Sequence, residues 1–333
     1  MEAAQVEEAL KVLDASLSHI KWRLKSSAKR RLQIDVLALC SGMRPVVMID
    51  YGGKMPELQE HLCAFLDHSQ KESPIFEQLR VMVIEDMIYL IHVEEMAKYV
   101  SSSLSSEVEL LLVDLEEDPP KMRRLDDKHL LGMQLISIQK LFSLYFPLEG
   151  MRNDLLPPNR TEPRADTNSL SEPINSKSSL LMDLSSCMHD TKVTVPTING
   201  WLLGYPVVYL FTKDHIGDAV YNLSTKFLRI YKILIRRNST PNKGSPLEEL
   251  MSFSVPYDMS MRGSNEPWAE MFLTHLQSKW ERCKQTWSSL EMEPAQLFHW
   301  KRCCMMLKSL FPFGILTTLD GQHYIPTLMK DIK

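Results

Sequence analysis

The chain has 333 residues, enough for one large domain or two ordinary ones, and a hydrophobic share of 44% that can bury a real core, which excludes disorder as a global state. Its 38 basic and 42 acidic side chains leave a formal net charge of -4, so no overall field draws the molecule to nucleic acid or to an anionic membrane. Met1 is followed by Glu2, Glu7 and Glu8 with no early apolar stretch, and the six cysteines are scattered without a CxxC pair; both features argue against secretion and for the cytoplasm or the nucleus.

Val6, Leu10, Leu13, Leu17, Ile20 and Leu24 recur at spacings of four and three and predict a long amphipathic N-terminal helix. The pattern resumes at Leu32, Val36 and Leu39, with Gly42 as a stop. "RPVVMIDYGG", Arg44 to Gly53, reads as a short strand covered on both faces, and Leu58, Leu62 and Phe65 as a helix returning along the sheet. Leu79 to Ile84 and Met87 to Val93 predict a hairpin pinched at Glu85-Asp86. Glu109 to Leu115 is a further strand, ended by "EEDPP". Asp126 or Asp127 then caps a helix carrying Leu131, Leu135, Ile138, Phe142 and Tyr145 on one face.

Residues 156–179 are rich in proline, asparagine, serine and threonine and read as a disordered polar insertion. Beyond it, Tyr205 to Phe211, Leu228 to Ile235 and Met251 to Val255 are predicted strands, with "RRNSTPNKGSP" as a loop. Trp268, Phe272, Leu276, Trp280, Cys283 and Trp287 line one side of a predicted helix capped by Asn265. A last helix over Pro294 to Leu310 and a strand at Ile315 to Thr318 close the chain.

This order predicts an α/β (or α+β) fold: one mixed β-sheet built from both halves and covered by helices, with residues 1–333 forming a single domain from which 156–179 loop out. Two lobes, 1–150 and 190–333, are the alternative. The uncharged run from Val193 to Thr212 is long enough to raise the question of a membrane span. Pro196, Pro206, Gly200, Gly204, Asn199 and three threonines would leave polar groups facing lipid, whereas Tyr205 to Phe211 has the make-up of a buried strand. No membrane partner is therefore expected.

"LCSGMRPVVMIDYGG", followed much later by "NGWLLGYPVVYLF" and "LRIYKI", resembles the uncharacterised eukaryotic family of the human chromosome 1 open reading frame 74 protein, a domain of unknown function. The resemblance covers most of the chain apart from the first helix and the polar insertion. It implies an intracellular module and carries over no catalytic residue.

No motif is specific enough to name a reaction. Asp50 stands at the end of a predicted strand, Gly52 and Gly53 form a turn whose amides could cradle an anion, and Asp114 ends another strand. If those strands were parallel neighbours, Asp50 and Asp114, helped by Glu116 or Asp118, could hold Mg²⁺ beside a phosphate; otherwise these are turn residues and a solvated strand exit. His299, Cys303 and Cys304 amount to half a zinc site, which Cys187 and His189 would have to complete, so no metal site is assigned. Lys21, Arg23, Lys25, Lys29, Arg30 and Arg31 form the one basic cluster, read as a solvated helix face, and nucleic acid is not an expected partner. Sequons at Asn159, Asn222 and Asn238 are chance matches in an intracellular chain. The leading reading is a noncatalytic interaction module that meets a protein partner through the N-terminal helix 5–24, with no cofactor. The alternative is a metal-dependent enzyme acting on a phosphorylated small molecule through Asp50 and Asp114, with Mg²⁺.

Overall fold

The computed structural model describes residues 1–104, 110–125, 130–148, 179–238 and 246–299. Helix α1 (Ala3–His19) buries Val6, Ala9, Leu13 and Leu17, but it stops before Leu24 because Lys21 takes a left-handed φ of 57° and turns the chain. The expected single long helix is therefore two. Helix α2 (Ser26–Cys40) buries Leu32, Val36 and Leu39 and ends at Gly42, whose φ of 76° suits a helix stop. Strand β1 (Val46–Met48) and helix α3 (Glu57–Glu72) follow as predicted. So does the hairpin of β2 (Leu79–Ile84) and β3 (Met87–His92), with Glu85 at a φ of 51° in its two-residue turn.

Several elements differ from the sequence expectation. Helix α4 (Val93–Leu104) starts directly at the end of β3, where the strand was expected to run through Val93. Strand β4 (Leu111–Asp114) is the expected one, and the unforeseen β5 (Lys121–Arg124) pairs with it. Helix α5 (Leu130–Tyr145) buries Leu131, Leu135, Ile138 and Phe142. Its proposed caps Asp126 and Asp127 lie outside the described residues, as do residues 156–178 of the polar stretch.

The uncharged run is half helix. After β6 (Leu181–Asp183), helix α6 (Val195–Leu202) takes in Gly200, Trp201 and Leu202, and only β7 (Val207–Leu210) is extended. Pro196 sits in the helix's first turn, where its missing N–H costs nothing. Both pieces are buried throughout, and the strand expected over Tyr205 to Phe211 is extended at Val207 to Leu210. An added Cβ at Gly200 would stand 2.8 Å from Val208 Cγ1, so glycine is what lets α6 lie against β7.

Helix α7 (Ile216–Ser224), also unforeseen, leads into β8 (Phe227–Arg237) and β9 (Leu247–Pro256). Helix α8 (Pro267–Arg282) has Glu266, not Asn265, at its N-cap and ends before Trp287. Trp287 instead opens β10 (Trp287–His299), an antiparallel partner of β8. This overturns the expected helix from Pro294 as far as His299: the ladder pairs Glu293 with Lys232 and Gln296 with Ile230, stepping over Pro294, whose lack of an N–H is tolerated at such an irregularity. The rest of that predicted helix and the strand at Ile315 to Thr318 lie outside the described residues.

Instead of one sheet the described residues form three, ordered β1-β3-β2-β6, β5-β4-β7 and β10-β8-β9. The halves of the chain nevertheless share sheets, since β2 pairs with β6 and β4 with β7, both in parallel. The first two sheets also divide the same two core layers. Val47, Val81, Leu90, Val113 and Tyr209 face a layer built with α1, α2, α3 and α8, while Val46, Met82, Ile91, Leu112 and Val208 face one built with α4, α5 and α6. Strand alternation places neighbouring side chains on opposite faces and so produces both layers. Among the described residues no helix is long and apolar enough to cross a membrane.

Candidate functional site

Asp35 lies on the apolar stripe of α2, between Leu32 and Leu39, and is 0% exposed. A buried carboxylate needs donors. Its Oδ2 accepts from Arg31 Nε at 3.0 Å and from the Tyr51 hydroxyl at 2.8 Å, while its buried Oδ1 has no donor. Arg44, in the link between α2 and β1, is 5% exposed. Its Nη1 donates to the Leu250 carbonyl at 3.2 Å, and no ion pair joins it to a carboxylate among the described residues. Arg31 reaches the same oxygen with Nη2 at 3.3 Å and the Glu249 carbonyl with Nη1 at 2.6 Å. Strand β9 makes that oxygen available by bulging at Leu250: Leu234 pairs with Glu249 and Ile233 with Met251, leaving Leu250 without a partner.

Around these groups stand Tyr205, half-buried just before β7, and Lys279, half-buried on α8. Burial pushes the Arg44 guanidinium below its ordinary value, opposed by Tyr205 and Asp35. Burial raises the Tyr205 hydroxyl, and it raises the Tyr51 hydroxyl well above its usual value with the Asp35 charge adding to the effect. Lys279 is pushed down to about 8, first by burial, with Glu95 opposing and Arg282 and Arg44 adding repulsion. Perturbed ionisable groups concentrated in one place are a physical mark of a functional site. Here they span α2, both flanks of β1, the lead into β7, and α8.

The sequence candidates fall out differently. Asp50 is exposed at the rim of this cluster, within electrostatic reach of Arg31 and Asp35. Asp114 is buried in another sheet, where it pairs with Arg123 at 3.5 Å and accepts from the Glu116 amide at 3.1 Å. The parallel neighbour of β4 is β7, not β1, so the arrangement that would aim Asp50 and Asp114 at one ion is not formed. Gly52, at a φ of 88°, has its carbonyl taken by Trp22 Nε1 at 2.9 Å, and a Cβ there would stand 2.8 Å from Leu24 Cδ2. That turn is packed against the α1–α2 link. Past Gly53, α3 begins only at Glu57, so no helix N-terminus opens directly after the glycine pair.

His299 lies on β10, Cys187 and His189 lie at a short turn after β6, and Cys303 and Cys304 are outside the described residues. Among the described residues no group of three or more His, Cys, Asp and Glu side chains is placed to hold a metal. In the basic cluster, Lys29, Arg30 and Arg31 pair with Asp14, Glu248 and Asp35. The sequon at Asn222 has a buried side chain whose amide donates to the Leu115 carbonyl at 2.8 Å. Asn238 donates to the carbonyls of Lys284 and Gln285.

Arg44, Asp35, Tyr205 and Lys279 were not singled out from sequence. Two signals for them existed: an acidic residue on the α2 stripe, and an arginine directly before a strand buried on both faces.

Residues 14–299 match the family described as Domain of unknown function (DUF4504). The chain belongs to this family. The matched span contains every member of the DUF4504 chain's polar cluster, from Arg31 on α2 to Lys279 on α8. No curated protein and no solved structure matches the chain.

Proposed function

We propose that the chain is a noncatalytic binding module in which Arg44 receives a carboxylate group from a protein partner. The observation that carries this reading is a guanidinium 5% exposed with one backbone acceptor and no ion pair among the described residues. A buried cation that no carboxylate contacts directly is costly, and a bidentate carboxylate is what an arginine fork fits best. Tyr51, Tyr205 and the exposed Asp50 form the rim through which such a group would approach. Helix α1 spends its apolar stripe on α2 and α3, so a partner docking on residues 5–24 would meet a charged outer face.

The shared parallel pairs β2–β6 and β4–β7 support reading residues 1–333 as one domain. The free cysteines Cys40, Cys63, Cys187 and Cys283 support a reducing compartment, and we assign the cytoplasm. Within the family, the segments around Arg44 and Tyr205 support our reading that the chain is similar to the human chromosome 1 open reading frame 74 protein.

The test is thermal melting of the whole chain with N-acetylglutamate and, separately, with Mg²⁺, for the wild type, Arg44→Lys and Tyr205→Phe. A carboxylate-dependent rise in Tm that is lost in Arg44→Lys supports the module, because a ligand that prefers the native state must stabilise it. No carboxylate response, or a Mg²⁺ response abolished by Asp50→Asn, overturns it, and the latter restores the metal-dependent enzyme. Should Arg44→Lys fail to fold, Tyr205→Phe carries the comparison.

A further inference from the structure

A concavity lies between the first turns of α2 and the loop end of the β8–β9 hairpin, where Arg237 and Pro246 stand. It encloses about 240 Å³ and is lined by Ser26, Lys29, Arg30, Arg237 and Glu248 together with Gln33, Ile34 and Pro246. Three cationic side chains face one carboxylate there. Glu248 is already engaged, accepting from Arg30 Nε at 2.5 Å, so its charge is neutralised within the wall. Lys29 pairs with Asp14 at 3.1 Å, and Asp14 does not line the space. Arg237, the last residue of β8, also lines the space and has no ion pair among the described residues. The walls thus carry a surplus of positive charge and donors in Ser26, Lys29, Arg30 and Arg237, in a space smaller than the usual pocket for a drug-sized ligand, which starts at about 300 Å³.

We propose that this cavity binds the phosphate group of a small phosphorylated ligand, with Arg237 as its principal contact and Arg30 and Lys29 beside it. An arginine fork and a lysine ammonium are the two side chains best suited to phosphate oxygens, the first bidentate and the second as a point charge. A volume near 240 Å³ admits a phosphate monoester or pyrophosphate. The site is separate from the carboxylate site at Arg44, so either assignment can fail without the other.

Isothermal titration of the whole chain with inorganic pyrophosphate, against sodium chloride of equal ionic strength, tests it. Wild type is expected to bind one equivalent, and Arg237→Gln to bind about tenfold more weakly, the loss of one charge-assisted contact. Lys29→Gln is expected to weaken binding in the same direction and serves if Arg237→Gln does not fold, while Arg44→Lys leaves it unchanged. Absence of binding beyond the chloride control overturns the proposal. So does an affinity untouched by both cavity variants, or one lost only in Arg44→Lys.

Discussion

Arg31 and Arg44 donate to one and the same oxygen, the carbonyl of Leu250, at 3.3 and 3.2 Å. Two guanidinium groups meeting at one neutral acceptor repel each other, and the nearest compensation is the buried Asp35 carboxylate, which holds Arg31 directly and acts on Arg44 through space. The bulge in β9 and the acidic residue on the α2 stripe are therefore parts of one device. Neither makes sense alone, because an unpaired carbonyl and an isolated buried carboxylate would each be destabilising.

Removing the carboxylate should be severe. Asp35→Ala leaves two arginines and the Tyr51 hydroxyl without their anion, and a loss of about 3–5 kcal/mol is expected from breaking a buried pair. Arg30→Ala removes the neighbouring ion pair to Glu248, where the arginine side chain is 52% exposed, and should cost less than about 1 kcal/mol. Urea unfolding of both variants checks the contrast. Equal losses would mean that the buried cluster contributes no more than a surface pair.

Close packing of α6 on β7 gives a second expectation. Gly200→Ala forces a methyl to within 2.8 Å of Val208 Cγ1, and overpacking of this kind costs about 1–3 kcal/mol. Val208→Ala on its own opens a small cavity and is also destabilising. The double variant should lose less than the sum of the two, a coupling that a denaturant double-mutant cycle measures. Strict additivity would show that the helix simply shifts away.

Much of the fold was legible because its periods are strong: the β2–β3 hairpin, the β8 and β9 strands and the α3 and α5 stripes all follow from spacing alone. Helix α4 is not legible although Val93, Met96, Ala97 and Val100 have helical spacing, because it begins on the residue directly after an apolar strand with no loop between them. Pro294 reads as a helix start because proline favours that position, whereas an irregular ladder accommodates it equally well. Of the candidate site the sequence shows Asp50 as a site residue and Arg31 only as part of a basic helix face. Arg44, Asp35 and Tyr205 acquire meaning from a bulge and from which strands become neighbours, and neither is written in local spacing.

Trp22 ties the chain reversal after α1 to the turn after β1, donating to the Gly52 carbonyl at 2.9 Å and stacking on His61 at 5.5 Å. Trp22→Phe keeps an aromatic ring but loses the donor, so a half-buried acceptor goes unpaired and about 1 kcal/mol is expected. Amide exchange localises the effect: Gly53, Lys54 and the first turn of α3 should lose protection before β8 and β9 do. Uniform loss across the chain would argue against a local tie.

Lys279 provides the pH test. Its native value of about 8 lies well below the ordinary lysine value near 10.4, with burial as the main cause. Below pH 8 both native and unfolded chains hold the proton, and the native state bears the full cost of a desolvated ammonium beside Arg282 and Arg44. Between about pH 8 and 10 the unfolded chain binds more protons than the native one, so this residue's contribution to stability rises with pH. Lys279→Met removes the cost altogether. The variant should therefore be more stable than wild type at pH 7, by on the order of 1 kcal/mol once solvent screening of a half-buried group is allowed for, and the gap should narrow towards pH 10. The tyrosines of the cluster titrate in both proteins and cancel in the difference. Urea melts of the pair at pH 7, 8.5 and 9.5 measure the gap directly, and a gap independent of pH would place Lys279 in ordinary solvent, outside the cluster.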